Sequence, residues 1–351
     1  MSAIMNRRDR ATLDFVEGVR SYAVRNMYAP IKSLWDARQQ ECGHAPDSPA
    51  EAAEMMDRLP TVRFRDFLKR QAQERMWDSI HHALKPVEAE LLAKLEASTE
   101  RTEWGSVELD PHLQFPEWYR RMNFHLQPGA YWGDDMTSYV YDLAAKIYHL
   151  GTGQERTVTY MVARALPRQD YTRILDLGSG PAKSTIPLKR TFPQADVYGV
   201  DMSAAMVKYG HMLAEDEQVA ITFSQQDAAH LKYADGFFDL VHAMILFHEL
   251  PPDSLQRVAD EAFRVLRSGG HFVVADLPPY RETDVFDQWI SAWDVRHNNE
   301  PYWTTTLTAD LPAILRAAGF SRVWEECPNP EAGRGFPANV KFPWMTVGEK
   351  A

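Results

Sequence analysis

The chain has 351 residues, of which 45% are hydrophobic and 25% charged, the proportions of a globular protein with room for about two domains. A formal charge of -11 excludes a general polyanion binder, because nucleic-acid affinity rests on Lys and Arg neutralising phosphates. The opening MSAIMNRRDRATLDF holds no continuous apolar run, so neither a secretory signal nor a spanning helix is expected, and the location is read as cytoplasmic.

Cys42 and Cys327 stand alone, without CxxC or His-x-x-x-His spacing, so neither a disulfide framework nor a metal site is expected. Residues 1–125 read as a helical cap. Leu13, Val16, Val19, Ala23, Met27, Ile31, Leu34 and Trp35 recur at helical spacing, with a boundary or kink expected at Pro30. Ser48-Pro49-Ala50-Glu51 fits a capping box opening a helix over 49–59, with a new helix starting after Pro60 and an interruption near Pro86. His81 and His82 point about 100 degrees apart on that helix and so do not share a metal.

Residues 126–150 connect the cap to the rest of the chain. They begin within FHLQPGAYW (124–132), where a Pro-Gly turn separates His125 from Tyr131 and Trp132. From 151 to 351 strand-length apolar runs alternate with amphipathic helices. RILDLG (173–178), ADVYGVD (195–201), VAITFSQQD (219–227), FFDLVHAM (237–244) and HFVVADL (271–277) are the expected strands of a parallel α/β sheet with helices on both faces. Such a sheet binds its ligand at the carboxyl ends of the strands.

The first of these strands runs into DLGSGPAKST. Gly178 and Gly180 permit a tight turn and close approach of a ligand to the backbone, and Asp201 closes the next strand where a carboxylate can accept both hydroxyls of a ribose. Asp176 at the loop entrance would repel a pyrophosphate but can bond an ammonium, so the cofactor is expected to carry an amine.

Together these motifs resemble the class I S-adenosylmethionine (SAM) dependent methyltransferases: ILDLGSGPAKST, VDMS, SQQDA and FRVLRSGGHFVVAD look like that family's successive motifs. The resemblance implies a Rossmann-like, seven-stranded, mostly parallel sheet that ends in an antiparallel hairpin, here SRVWEE (321–326) and KFPWMTVGE (341–349). It implies that Asp176, Gly178, Ser179 and Gly180 surround the methionine part and ribose of SAM. Asp201 would hold the ribose hydroxyls, Met202 would lie against the adenine, Asp227 would accept from its amine between Gln226 and Ala228, and Met244 would lie near the methyl group. Pro181-Ala182 replaces the family's third glycine. DLPPY (276–280) resembles the tetrapeptide of nucleic-acid amino-methylating enzymes, but it follows the fifth of these strands rather than the fourth.

In the family the segment after the fourth of these strands, Met244 to Glu249, lies beside the methyl group. His248 is a candidate general base or a helix-end anchor, and Glu249 a positioning carboxylate or proton carrier. Tyr131 suits both cofactor and chemistry, since a ring face attracts a sulfonium. His125, Trp132, Arg296, Asn299 and Trp303 are candidate acceptor contacts, the last three in the aromatic stretch QWISAWDVRHNNEPYW (288–303), read as a pocket-shaping link. Arg296 suits a carboxylate on the acceptor.

The expected activity is SAM-dependent methylation of a small molecule. The alternatives are cyclisation of SAM's own aminocarboxypropyl chain with release of methylthioadenosine, and a non-catalytic SAM-binding regulator. No nucleic-acid or membrane partner is expected, and a homodimer is compatible with the sequence.

Overall fold

The computed structural model describes residues 5–148, 154–329 and 341–351. The expected domain boundary at 150/151 lies outside the described residues. Five helices open the chain: α1 (Arg7–Ser21), α2 (Tyr28–Cys42), α3 (Pro49–Met56), α4 (Pro60–Leu84) and α5 (Glu88–Thr99). The first break falls in a π-helical turn at Tyr22–Asn26 rather than at Pro30. Pro30 sits in the first turn of α2, where a missing amide hydrogen costs no helical bond.

The capping box is half realised. Ser48 Oγ accepts from the Glu51 amide at 3.3 Å, but the Glu51 carboxylate turns to the Asp47 amide (2.9 Å) and His44 Nε2 (2.8 Å) instead of returning to Ser48. Pro60 occupies the first turn of α4, and Lys85–Val87 form a 3-10 turn at the expected interruption.

Strand β1 (Gly105–Glu108) follows, so this part of the expected cap pairs with the sheet. After α6 (Glu117–Arg121), α7 (Met136–Tyr148) and α8 (Gln154–Ala165) come β2 (Arg173–Leu177), α9 (Thr185–Thr191), β3 (Asp196–Asp201), α10 (Ala204–Asp216), β4 (Ile221–Gln225) and β5 (Phe238–Met244). Then α11 (Pro252–Val265), β6 (Leu266–Asp276), α12 (Val285–His297), α13 (Trp303–Thr308), α14 (Leu311–Ala317), β7 (Arg322–Glu326) and β8 (Trp344–Glu349) complete the fold.

The sheet order is β1-β4-β3-β2-β5-β6-β8-β7. It is parallel from β1 through β6 and antiparallel where β8 inserts between β6 and β7. Eight strands are present against seven expected, because β1 adds a parallel edge beside β4. Alternation sets the two faces: Ile174 points into the layer with Val162, Ile186 and Val207, while Leu175 and Leu177 point into the layer with Leu255, Val258 and Ala262.

The cap is seated on one side by Tyr209 and Met212 of α10, which pack with Leu13, Met76, Ile80 and Leu95. On the other side Phe286 and Trp289 of α12 pack with Ile31, Trp35 and Met56. The aromatic stretch at 288–303 is therefore largely helix rather than a loop. Trp289 stacks on Trp35 at 6.0 Å, and its indole N–H donates to Asp57 Oδ1 at 2.8 Å. No helix among the described residues is long and apolar enough to cross a membrane.

Candidate active site

The carboxyl ends of β2, β3, β4 and β5 open into a cleft of about 290 Å³. Gly178, Asp201, Met202, Gln226, Asp227 and Ala228 line it, as do Tyr131 and Glu249. The backbone explains why small residues stand here. Gly178 has φ 63°, and a Cβ would come within 2.8 Å of Leu246 Cδ1; Gly180 has φ 47° with open space where a side chain would be. Ala182, in place of the missing third glycine, still adopts φ 61°, so the left-handed turn survives without it.

Asp201 is held by two backbone donors, Gly180 N–H to Oδ2 at 2.9 Å and Ser203 N–H to Oδ1 at 2.8 Å. Burial raises its pKa to about 6 against the lowering effect of those two bonds. Its carboxylate retains acceptor capacity toward the cleft, which fits a diol. Asp227 is oriented in the same way by the Ala229 amide at 2.9 Å.

Asp176 departs from the expectation. It is fully buried, with Oδ1 taken by His242 Nδ1 (2.7 Å) and Oδ2 by Ser184 Oγ (2.7 Å) and Thr185 Oγ1 (2.6 Å). Its side chain braces the start of α9 under the glycine loop and is not offered to an ammonium. Ser179 is buried behind the same loop, its amide bonded to the Val200 carbonyl at 2.9 Å, and Met244 packs toward the sheet core.

His248 is also corrected. It lies behind the cleft, its Nδ1 on Asp276 Oδ1 at 2.8 Å and its ring 5.7 Å from that of Trp303. Asp276 also accepts from the amides of Phe247 (2.9 Å) and His248 (3.3 Å), so the pair fixes the 3-10 turn Phe247–Glu249. The turn aims Glu249 into the cleft.

FHLQPGAYW folds over this end. Its backbone takes left-handed φ at His125 (56°), Leu126 (56°), Gly129 (83°) and Ala130 (53°), a costly path held by surrounding bonds. Gln73 Nε2 (2.7 Å) and Trp77 Nε1 (3.0 Å) both donate to the His125 carbonyl, and Ser203 Oγ donates to the Tyr131 carbonyl. Tyr131 stacks on Phe124 at 5.5 Å, and its hydroxyl donates to Glu249 Oε1 at 3.1 Å. Burial, then the Glu249 charge, keep the phenol well above its usual pKa and so neutral.

The remaining expected contacts separate. His125 Nε2 lies 3.5 Å from Glu249 Oε1, joining that residue to the site. Trp132 is 37% exposed and does not line the cleft, and Asn299 donates to the Asn123 carbonyl at 2.8 Å, next to this segment rather than into the cleft. Arg296 pairs with Asp57 at 3.2 Å on the cap surface and cannot meet an acceptor carboxylate in the cleft. Helical phase decides this: α12 turns Trp289 and Trp293 inward and leaves Arg296 outside.

Sequence reading missed Trp118, Tyr119 and Phe124 on the cleft wall, and Ser254, Arg257 and Val258 from the start of α11. The cluster FPEWY at 115–119 was a usable signal, since aromatic residues in a connecting segment often line a pocket. Among the described residues no group of three or more His, Cys, Asp or Glu is placed to hold a metal ion.

Residues 174–270 match the methyltransferase domain family. The chain is 33% identical over 141 residues to a demethylmenaquinone methyltransferase of Deinococcus radiodurans, covering 40% of this chain and 56% of that protein. It is 29% identical over 186 residues to an uncharacterised methyltransferase of Synechocystis, covering 53% of this chain and 84% of the relative. A structure from Methanococcus maripaludis, assigned as a SAM-dependent methyltransferase, aligns with TM-score 0.45 and 14% identity, covering 62% of this chain and 94% of that one. The match thus spans little more than half the length of the Deinococcus relative. The glycine loop, Asp201 and Asp227 all lie within residues 174–270, the region similar to the methyltransferase domain family, and the parallel sheet around them is Rossmann-like.

Proposed function

We propose that the protein methylates a small-molecule acceptor with SAM as donor. The observation that carries this reading is the single cleft in which Asp201, Asp227, Tyr131 and Glu249 converge from four separate segments. SAM supplies a methyl group activated by its sulfonium. Asp201 would accept the ribose hydroxyls, Asp227 the adenine amine, and the loop from Gly178 to Gly180 would pass close against the ribose and methionine part.

At the far end the Tyr131 ring would face the cation while its hydroxyl stays on Glu249. Glu249 is the cleft-lining group next to Tyr131 able to take a proton from an acceptor, the role first considered for His248. The lid and the aromatic wall of Trp118, Tyr119 and Phe124 would exclude water and align the acceptor, which is the larger part of what an in-line transfer needs.

A small acceptor is supported by the modest size of the cleft, about 290 Å³, and by relatives whose names describe quinone and acyl-carrier-linked substrates: the demethylmenaquinone enzyme and a malonyl-[acyl-carrier protein] O-methyltransferase of Hahella chejuensis, 29% identical over 160 residues. The test is incubation of purified protein with SAM alone and then with a small-molecule extract, followed by mass spectrometry. S-adenosylhomocysteine formed only with extract supports the reading. Methylthioadenosine formed without any acceptor, or SAM bound and never consumed, would overturn it.

A further inference from the structure

Glu300 belongs to no motif and is fully buried, yet one of its oxygens, Oε2, has no hydrogen-bond partner. Its other oxygen, Oε1, meets His125 Nδ1 and accepts from Asn298 Nδ2 at 3.1 Å. The opposite ring nitrogen of His125 faces Glu249, which lines the cleft and also accepts from Tyr131. A carboxylate, an imidazole and a second carboxylate thus run in line from the protein interior to the cleft.

The chain is built from every neighbouring element. Gln73 and Trp77 of α4 fix the His125 carbonyl, Tyr148 of α7 lies 5.2 Å from the His125 ring and donates to Asn298 at 3.2 Å, and Arg20 of α1 covers Tyr148 at 4.3 Å. A histidine in left-handed backbone, held by α4 of the cap, packed beside Tyr148 of α7 and faced by two carboxylates, is an expensive arrangement for mere packing.

Resting on the SAM-dependent reading above, we propose that Glu300 is a positioning residue: through His125 it holds the Glu249 carboxylate at the methyl end of the cleft, where Glu249 receives the proton of an N–H or O–H acceptor. As the acceptor atom bonds the methyl carbon, the carbon–sulfur bond breaks, its electron pair stays on sulfur, and the acceptor's proton moves to Glu249. The sulfonium and carboxylate charges both disappear, so the step balances. The acceptor class is a neutral nucleophile that bears an N–H or O–H, not a carbanion or a thiolate that arrives already ionised.

Burial alone would lower the pKa of His125, but the carboxylates of Glu300 and Glu249 reverse this and hold it well above 6.5. The groups facing the ring are Glu300, Glu249, Tyr148 and Tyr131, with Arg20 and His248 one contact further away. Near neutral pH a cationic His125 then stands between the two carboxyl groups, so removing either one changes the charge that faces the methyl site.

The test compares S-adenosylhomocysteine with sinefungin, an analogue bearing an amine where SAM bears its S-methyl, by calorimetry on the full-length protein between pH 6 and 8. The wild type is expected to prefer sinefungin by about tenfold or more, a typical value for one charge-assisted contact, with little change over this range. E249Q should bring the ratio to about one throughout. E300Q removes one carboxylate partner of His125, so its ratio should fall below the wild-type value, most at the acid end of the range where His125 is cationic. E300D, which keeps the charge, should stay flat, and E300N substitutes in the comparison if E300Q does not fold.

A wild-type ratio of one, an E249Q protein that keeps the preference, or an uncharged substitution of Glu300 whose ratio stays at the wild-type value at every pH would overturn the proposal while leaving SAM binding intact. Failure of wild-type protein to bind either ligand would instead sink the SAM-dependent reading itself.

Discussion

Asp176 and Asp201 end adjacent strands and differ in what their neighbours leave free. Asp176 spends both oxygens on Ser184, Thr185 and His242, whereas Asp201 spends only one bond per oxygen on backbone amides. The second arrangement leaves lone pairs for a diol, and the raised pKa near 6 makes that capacity depend on pH. An ionised carboxylate accepts from both hydroxyls, and a protonated one loses an acceptor. SAM affinity is therefore expected to fall as pH drops through about 6, and Asp201→Asn should cost at least about tenfold in affinity at about pH 7.5, with a flatter pH profile. Calorimetric titration from pH 5 to 8 checks both; wild-type affinity in the Asp201→Asn protein would remove Asp201 from the ribose site.

Among the secondary-structure elements, β1 shows how a short segment is recruited by geometry rather than by propensity. GSVE is four residues long and lies directly after a helical run, with no strand pattern strong enough to stand out. It pairs in parallel with β4 because Gly105, at φ 145°, lets its backbone run against Ile221, where a Cβ would stand 1.9 Å from the carbonyl oxygen. Gly105→Ala should therefore detach or shift β1, costing about 1–3 kcal/mol of stability. Hydrogen exchange should report loss of protection confined to 105–108 and the facing edge of β4; retained protection would show that the close approach is not required.

The same contrast applies to the other elements. The strands at 173–177, 196–201, 221–225 and 238–244 were readable to within a few residues, because each is a compact apolar run bounded by turn residues. The stretch 288–303 was read as a pocket-shaping link because its aromatic and polar positions serve different neighbours: Trp289 enters the cap core with Phe286, while Arg296 pairs with Asp57 outside it. Amphipathic periodicity is blurred wherever a helix serves as a bridge between two bodies.

At the scale of the whole molecule, buried histidine–carboxylate pairs link stability to pH. Burial lowers His248, but Asp276 more than compensates and brings it to about 9, above the 6.5 of a free imidazole. Stability from a raised histidine is fully present below pH 6.5 and lost as pH rises through about 9. The melting temperature is expected to decline over this window by at least about 2 °C, and less in His248→Gln. An equal decline in both proteins would show that the His248–Asp276 pair does not carry the linkage.

The sequence by itself determined the Rossmann-like domain, the glycine loop and the acids at the ends of β3 and β4, because each is encoded by neighbouring residues: an apolar run, a turn that demands glycine, and a strand-end carboxylate. Side-chain direction and long-range pairing were left to the tertiary structure. It turned Asp176 inward and Arg296 outward, placed His248 behind the cleft and Glu249 within it, and joined His125 to Glu300 from opposite halves of the chain. A one-residue change of phase turns a side chain by about 100 degrees on a helix and to the opposite face on a strand, and composition carries no record of that phase.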